Sequence, residues 1–454
     1  MEKGILDYSN YYFVGIGGIG MSALAQYFLN KNKNIFGYDR ISSKISKRLE
    51  TEGAKIIYND SQQLIEESSL KSSDTLVIYT PAIQFDNLQL SHFNAENFRI
   101  LKRSEVLGEI TKDKFCLAIA GTHGKTTTSS ILAHILVECN VKVTAFLGGI
   151  TANYDSNYIE RGEEVCVVEA DEYDRSFLCL SPDIACITSM DADHLDIYGG
   201  VEAMHDSFRE FSKKLKPNGK LLVKQGLPIS GFSYGLEDES DYSAQNISIK
   251  NATYHFDLKT PKSVYKDFQL NLAGRHNLSN AIIALAMSVE YGCPPQQLAK
   301  ALASFKGVER RFQYHIKKDA LVYVDDYAHH PAEINAVFNA VEEMFPDKQA
   351  LVVFQPHLYS RTRDFADEFG KALSQFSSVL LLDIYPAREA PLEGVTSSWL
   401  LEKIENPSKS LIKKENLVNE ILKRQPELLI TMGAGDIGEE VEQIKKALLN
   451  ESTI

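Results

Sequence analysis

The apolar run Phe115-Cys116-Leu117-Ala118-Ile119-Ala120 breaks into Gly121-Thr122-His123-Gly124-Lys125-Thr126-Thr127-Thr128, and this junction constrains the fold more than any other part of the chain. The run reads as a buried strand. After the glycines, Ile131, Leu132, Ile135 and Leu136 recur at helical spacing. A strand, a glycine turn and a helix start gather several backbone N–H groups at one point. The helix dipole adds roughly half a positive charge there, which suits a polyphosphate. Lys125 can reach the β- and γ-phosphates, and the Thr126 or Thr127 hydroxyl can ligate Mg²⁺. The turn is shorter than the usual G-x-x-x-x-G-K-[ST] pattern, because Ile119 stands where its first glycine would be. A strand–helix connection with Lys125 as a mere surface cap would not need two glycines bracketing Thr-His before Lys-Thr-Thr. The stretch 121–127 is therefore read as an ATP site.

A second glycine turn lies near the start. Residues 11–15 form a short apolar strand leading into Gly15-Ile16-Gly17-Gly18-Ile19-Gly20, and Met21 opens a helix. The strand over 34–38 ends at Asp39, about 20 residues beyond the glycines, where an acid that grips a ribose is expected. Strands over 54–58 and 74–79 alternate with a helix over 61–68, which implies a parallel sheet. Thr80-Pro81 lies past the carboxyl end of its strand, the usual ligand edge. Residues 100–105 lead into a short helix and a domain boundary near residue 110, and Arg103 is a surface charge there unless an anion lies opposite it.

Downstream of the ATP loop, strands are expected over 141–147, 164–168 and 183–188. The second runs into Glu169-Ala170-Asp171-Glu172-Tyr173-Asp174. Carboxylates at the end of a buried strand are costly unless a cation neutralises them. Glu169, first after the apolar run, is placed to position Mg²⁺, whereas Asp171, Glu172 and Asp174 read as solvated turn residues. His194 lies among Asp193 and Asp196 at another strand end and reads as a metal ligand or an oriented acid. Mg²⁺ prefers oxygen, so a histidine ligand would mean a second metal position. Short alternating segments over 232–272 suggest an antiparallel patch. Asn277 and Asn280 share a face at the start of a long helix, as caps or as partners of a base edge.

Residues 307–313 read as a linker into a third α/β unit. Its strands, over 320–324, 350–354, 379–384 and 428–432, each end in polar clusters. The first leads to Asp325-Asp326-Tyr327-Ala328-His329-His330-Pro331, with Pro331 at the first position of a helix. The second leads to Arg361 and Arg363, which can clamp a carboxylate or phosphate. Gly433 and Gly435 serve either tight packing or a ligand.

The 454 residues predict two to four domains, given roughly 100–200 residues in each. No apolar run reaches the roughly 18 residues a bilayer span needs. Nothing at the N-terminus reads as a signal peptide, and a net charge of −13 disfavours nucleic acid. Cysteines 116, 139, 166, 179, 186 and 293 include no C-x-x-C pair and read as core residues of a reducing compartment. A cytoplasmic protein without membrane insertion, monomeric or a weak homodimer, is expected.

Taken together and in this order, Gly15 to Met21, Gly121 to Thr128, Glu169-Ala170-Asp171-Glu172, Asp193-His194, Gly274-Arg275-His276-Asn277, Arg310-Arg311-Phe312, Asp325-Asp326-Tyr327 with His329-His330-Pro331, and Arg361-Thr362-Arg363-Asp364 resemble the Mur ligases of peptidoglycan synthesis. The glycine start resembles that of the branch which adds L-alanine to UDP-N-acetylmuramate, and so implies those two substrates. Thr80-Pro81-Ala82-Ile83 stands where many relatives have Ser-Ser-Ala-Ile, and Leu358 where arginine is common. The resemblance implies three α/β domains: a Rossmann-like UDP-sugar domain over 1–109, a P-loop-type ATPase domain with an antiparallel patch over 110–312, and a Rossmann-like amino-acid domain over 313–454. It implies ATP as co-substrate and one or two Mg²⁺ ions, held by Thr126 or Thr127, Glu169 and His194. Lys125, Glu169 and His194 become the catalytic residues. Asn277, Arg311 and Asp326 become adenosine contacts, beside the loop residues Gly121, Thr122, His123 and Gly124. Gly15, Gly17, Gly18, Gly20, Met21, Asp39, Thr80 and Arg103 would bind the UDP-sugar. His329, His330, Arg361 and Arg363 would face the alanine and the muramoyl end. No carboxylated lysine is expected, since Arg209 stands near its place. A sibling ligase using another amino acid or peptide, or an NAD-dependent dehydrogenase, would be the competing reading. The dehydrogenase leaves Lys125 without a role.

Overall fold

The computed structural model describes residues 3–61, 70–83, 87–191, 198–387 and 389–451. Most of the helix expected over 61–68, and Asp193, His194 and Asp196, lie outside them.

Three sheets carry the chain. In the first, β1 (Asn10–Val14), β2 (Asn34–Tyr38), β3 (Lys55–Ile57), β4 (Thr75–Tyr79) and β5 (Arg99–Lys102) lie in the order β3-β2-β1-β4-β5, all parallel. Val14 pairs with both Tyr38 and Tyr79. The carboxyl ends of β1, β2 and β4 are thus level, and the strand order reverses between β1 and β4, the usual ligand crevice of such a sheet.

The second sheet comprises β6 (Phe115–Ala120), β7 (Val143–Thr151), β8 (Ser156–Glu160), β9 (Val165–Ala170), β10 (Ile184–Ile187), β11 (Lys220–Lys224), β12 (Phe232–Leu236), β13 (Tyr242–Lys250), β14 (Thr253–Lys259) and β15 (Val264–Leu270). Their order is β15-β14-β13-β12-β11-β10-β6-β9-β7-β8. β6 is buried almost throughout, as a central parallel strand covered on both faces must be. The expected antiparallel patch begins later than the alternation suggested. β12 pairs parallel with both β11 and β13. The two-residue link Asn251-Ala252, both at φ +53°, then joins the neighbouring strands β13 and β14, and so short a link joins only antiparallel strands. β7 and β8 form a further antiparallel pair. β8 was not foreseen from the sequence, since Ser156 and Asn157 are polar although the fold buries them.

The third sheet, β16 (Gln313–Lys317), β17 (Val322–Asp326), β18 (Ala350–Phe354), β19 (Ser378–Leu381), β20 (Lys409–Leu411) and β21 (Leu428–Met432), has the order β16-β17-β21-β18-β19-β20. All its pairings are parallel except β16 with β17.

The chain divides into two compact units, 1–247 with 256–269 and 279–306, and 248–255 with 270–278 and 307–454. In the first unit the N-terminal and central sheets share one core. The helix Ile19–Asn30, which follows the glycine turn, packs Tyr27 against Phe146 of β7 and Tyr158 of β8, with ring centroids 5.6 and 6.4 Å apart. Buried Asn157 donates to Ser22 Oγ at 2.9 Å and to the Ile19 carbonyl. The second unit has its own core around Tyr323, Val353, Leu380, Leu429 and Ile437. Among the described residues no helix is long and apolar enough to cross a membrane. All six cysteines are free. Cys116, Cys166, Cys186 and Cys293 are buried as expected, whereas Cys179 is exposed.

Candidate active site

At the centre of the first unit, β6, β9 and β10 end level, since Ala120 pairs with both Ala170 and Ile187. That alignment brings three segments together: the glycine loop, the acids after β9 and Thr188-Ser189 after β10. The loop is braced from beneath. Ser189 Oγ accepts from the His123 N–H at 2.8 Å and lies 2.9 Å from Thr122 Oγ1, while Thr188 Oγ1 donates to the Ala120 and His123 carbonyls. Gly121, at φ +132°, leaves no room for a side chain. A Cβ there would meet the Thr188 hydroxyl and come within 2.8 Å of the Ser189 nitrogen. Gly124, at φ +85°, caps the helix Lys125–Glu138 with Asn280 pressed against it.

Lys125 turns back over the loop. Its Nζ lies 2.7 Å from the Gly121 carbonyl and 2.7 and 3.0 Å from the two Glu172 oxygens. The Glu172 side chain is 1 % exposed and that of Lys125 17 %. Burial pushes the Glu172 carboxyl above the ordinary carboxylate range. Burial alone would lower the Lys125 ammonium, but Glu172, Asp171 and Glu169 outweigh it and hold it above the usual lysine value.

Glu169 stands beside this pair. It accepts from Thr126 Oγ1 at 3.2 Å, from Ser129 Oγ at 3.0 Å and from the Gly148 N–H. Thr126, rather than buried Thr127, is therefore the loop hydroxyl that converges with Glu169. A carboxylate and a hydroxyl at the strand end beside the glycine loop form an oxygen donor set, which suits Mg²⁺. No cluster of three acid, histidine or cysteine ligands occurs among the described residues. His194, the third expected ligand, lies outside them.

Glu172 is thus buried, against its reading as a solvated turn residue, whereas Asp171 and Asp174 stay partly exposed but paired. Arg103 Nη2 lies 3.6 Å from Asp171, and Lys102 Nζ 2.7 Å from Asp174, so each acid meets a cation of the N-terminal sheet's edge. Arg103 thereby finds an anion opposite it. Its guanidinium also lies against Gly20, where a Cβ would be 3.0 Å from Nη1. At the N-terminal crevice, Gly17 N–H donates to Asp39 Oδ2 at 2.8 Å, and Gly15, at φ +88°, faces Thr80. Gly18 N–H is bonded to the Gly15 carbonyl, and the Met21 side chain belongs to the core. Arg209, on the helix Val201–Ser212, pairs with Glu202 and Asp206.

In the second unit, Asp326 is buried and accepts from the Phe312 and Ala328 N–H groups, each at 2.7 Å. Burial pushes its carboxyl up to about 6, against the pull of Arg311. Arg311 lies over the Tyr327 ring. Asn277 donates to the Ala273 carbonyl at 2.7 Å, a helix-start bond. His329 Nδ1 lies 2.9 Å from the Tyr327 carbonyl, and burial lowers this imidazole below its ordinary value despite Glu333. His330 caps the helix Pro331–Met344 by accepting from the Ala332 N–H. Arg361 reaches His357 at 3.3 Å, and His357 lies 6.0 Å from the His329 ring. Arg363 instead turns to Asp364 on the exposed side, because positions two apart on a helix do not share a face. Gly433 and Gly435 pack against Gln355 and Tyr385, the packing alternative.

Three residues of this arrangement were not singled out by the sequence, Ser129, Ser189 and Thr188, and a fourth, Glu172, was read as a solvated turn residue but is buried. Ser129 alone was within reach, being three positions after Thr126 on one helix.

Comparison with known proteins gives matches along the whole chain. Residues 10–115 match the model described as Mur ligase family, catalytic domain, residues 119–288 the Mur ligase middle domain, and residues 310–435 the Mur ligase glutamate ligase domain. The chain is 56 % identical over 451 residues to the UDP-N-acetylmuramate–L-alanine ligase of Christiangramia forsetii, covering 99 % of this chain and 100 % of that protein. It is 44 % identical to the like-named ligase of Parabacteroides distasonis, with 97 % of each covered. Among solved structures, the UDP-N-acetylmuramate–alanine ligase of Thermotoga maritima superposes with a TM-score of 0.82 at 25 % identity, over 98 % of this chain and 99 % of that one. A murein peptide ligase of Psychrobacter arcticus shares the fold, with a TM-score of 0.68 at 20 % identity.

Proposed function

Because the chain belongs to the Mur ligase family, we propose that it joins L-alanine to the carboxylate of UDP-N-acetylmuramate, with ATP converted to ADP and phosphate. A carboxylate is a poor acyl donor. One of its oxygens therefore attacks the γ-phosphoryl group, ADP leaves, and an acyl phosphate forms. The alanine amine then attacks the acyl carbon, and the tetrahedral intermediate expels phosphate as the amide forms. Loop N–H groups and Lys125 stabilise the charge on the transferring phosphoryl group. Thr126 and Glu169 are the residues that would hold Mg²⁺, whose chemistry is to neutralise phosphate charge. His194 is our candidate ligand for a second ion.

The other assignments keep their expected roles in this reading, except Met21, whose side chain lies in the core, and Arg363. The crevice formed by Gly15, Gly17, Gly18, Gly20, Asp39, Thr80 and Arg103 takes the UDP-sugar. Asn277, Arg311 and Asp326 take the base, phosphate and ribose of ATP. His329, His330 and Arg361 face alanine and the muramoyl end, while Arg363, turned to Asp364, does not join them. The functional division at residues 109 and 312 goes with this reading. The observation that carries it is the convergence of Lys125, Thr126 and Glu169 at the carboxyl end of β6. The test is phosphate release with ATP, Mg²⁺, UDP-N-acetylmuramate and L-alanine, omitting each in turn and replacing alanine by serine or glycine. Release that needs all four, and that Lys125→Ala abolishes, is the expected result. Release without UDP-N-acetylmuramate, or none, would overturn the proposal.

A further inference from the structure

Glu172 has no role in the reaction as set out above, yet both of its carboxylate oxygens engage Lys125 of the phosphate loop. An ammonium group has three hydrogens. Those of Lys125 meet three acceptors: the Gly121 carbonyl at 2.7 Å, Glu172 Oε2 at 2.7 Å and Glu172 Oε1 at 3.0 Å. A lysine so engaged has no hydrogen left for a phosphate oxygen, so polyphosphate binding must exchange at least one of these bonds. Glu172 is the fixed side of that exchange. Its side chain is 1 % exposed, and the Tyr198 hydroxyl donates to its backbone carbonyl. The segment that follows is anchored by Phe177, which stacks on Phe211 with ring centroids 4.9 Å apart. Asp171 and Glu169 add negative charge on the same side. An arriving phosphate therefore meets a buried carboxylate that competes for Lys125 and, once Lys125 is shared, repels it in a medium where water screens little.

We propose that Glu172 is the counter-ion Lys125 holds until a polyphosphate arrives, and that this exchange sets the nucleotide affinity of the loop. The proposal rests on reading the Lys125 loop as the ATP loop. Glu172 is a positioning residue here, acting through Lys125.

Glu172→Gln keeps the shape and one acceptor while removing the charge. Calorimetric titration of the full chain with ATP and with ADP, without Mg²⁺, should give Kd values roughly tenfold lower than for the wild type. KM for ATP should fall likewise, while kcat does not rise. Glu172→Asp retains the charge one methylene further back and should bind with an affinity between the two. It serves as the measurement should the glutamine variant not fold. In a Lys125→Ala background, Glu172→Gln should leave Kd unchanged, because the exchange no longer exists. Equal or weaker ATP binding by Glu172→Gln, or weaker binding by Glu172→Asp, would overturn the inference. If Lys125→Ala itself binds ATP as the wild type does, the reading of the loop fails instead.

Discussion

Gly148→Ala tests whether Glu169 works from the place the fold gives it. A Cβ at position 148 would lie 2.7 Å from Glu169 Oε1 and 2.8 Å from its Cδ, and nearer still to Oε2. Ordinary contact needs about 3.5 Å, so the carboxylate must retreat by about 1 Å. Retreat loses the Gly148 N–H and stretches the bonds from Thr126 at 3.2 Å and Ser129 at 3.0 Å beyond hydrogen-bond reach. Two or three bonds to a charged group, each worth about 1.5–3 kcal/mol, are at stake, but Glu169 is only half-buried and water replaces much of the loss. A net cost of about 1–2 kcal/mol remains, which moves the melting temperature by a few degrees in a protein of this size. Activity should fall further, by about 10–100-fold, the range seen when a group supporting a metal ligand is disturbed. The assay is phosphate release across a Mg²⁺ titration, beside a thermal melt of the same samples. The variant should need more Mg²⁺ and release phosphate slowly while melting close to the wild type. Activity within about twofold of the wild type, with an unchanged Mg²⁺ midpoint, would refute the place given to Glu169.

Further outcomes follow from other sites. The Asp326 carboxyl is pushed up to about 6 in the folded chain from 3.8, so the folded state holds its proton more tightly. That contribution is complete below about pH 4 and is lost as pH rises through 6. Asp326→Asn should flatten the fall in stability between pH 4 and 6, as read by denaturant unfolding of the second unit. Asn157→Ala removes a buried amide that bonds the glycine-turn helix, and should destabilise the first unit by about 1–2 kcal/mol, with the loss visible as a lowered denaturation midpoint. Lys125→Ala should abolish phosphate release without lowering the melting temperature by more than a few degrees, since Glu172 can then take up a proton.

Continuous apolar runs made the central strands easy to read, and β6, β18 and β21 have the bounds expected of them. Glycine turns placed the ligand edges of the first two sheets for the same local reason. What failed depended on distant partners. Glu172 stands among four acids that look alike in one dimension, and only the packing of β9 against β6 puts it beneath Lys125. The choice between Thr126 and Thr127 was likewise a question of helix phase relative to Glu169. β8 was hidden because its buried polar residues are satisfied by a helix 130 positions earlier in the chain. β12 alternates like an antiparallel strand yet pairs parallel, since alternation reports which faces are buried and not the direction of a neighbour. Arg361 and Arg363 looked like a clamp, but two residues of helix turn them about 200° apart.

The shared core between the first two sheets makes the number of melting events countable. Three sheets, each with its own interior, would unfold as three endotherms. Here Tyr27 closes on Phe146 and Tyr158, so the N-terminal glycine turn and the Lys125 loop sit on a single cooperative block. Scanning calorimetry of the intact chain should resolve two components, and a fragment ending at residue 112 should not fold by itself, because its longest apolar face has lost the surface that covers it.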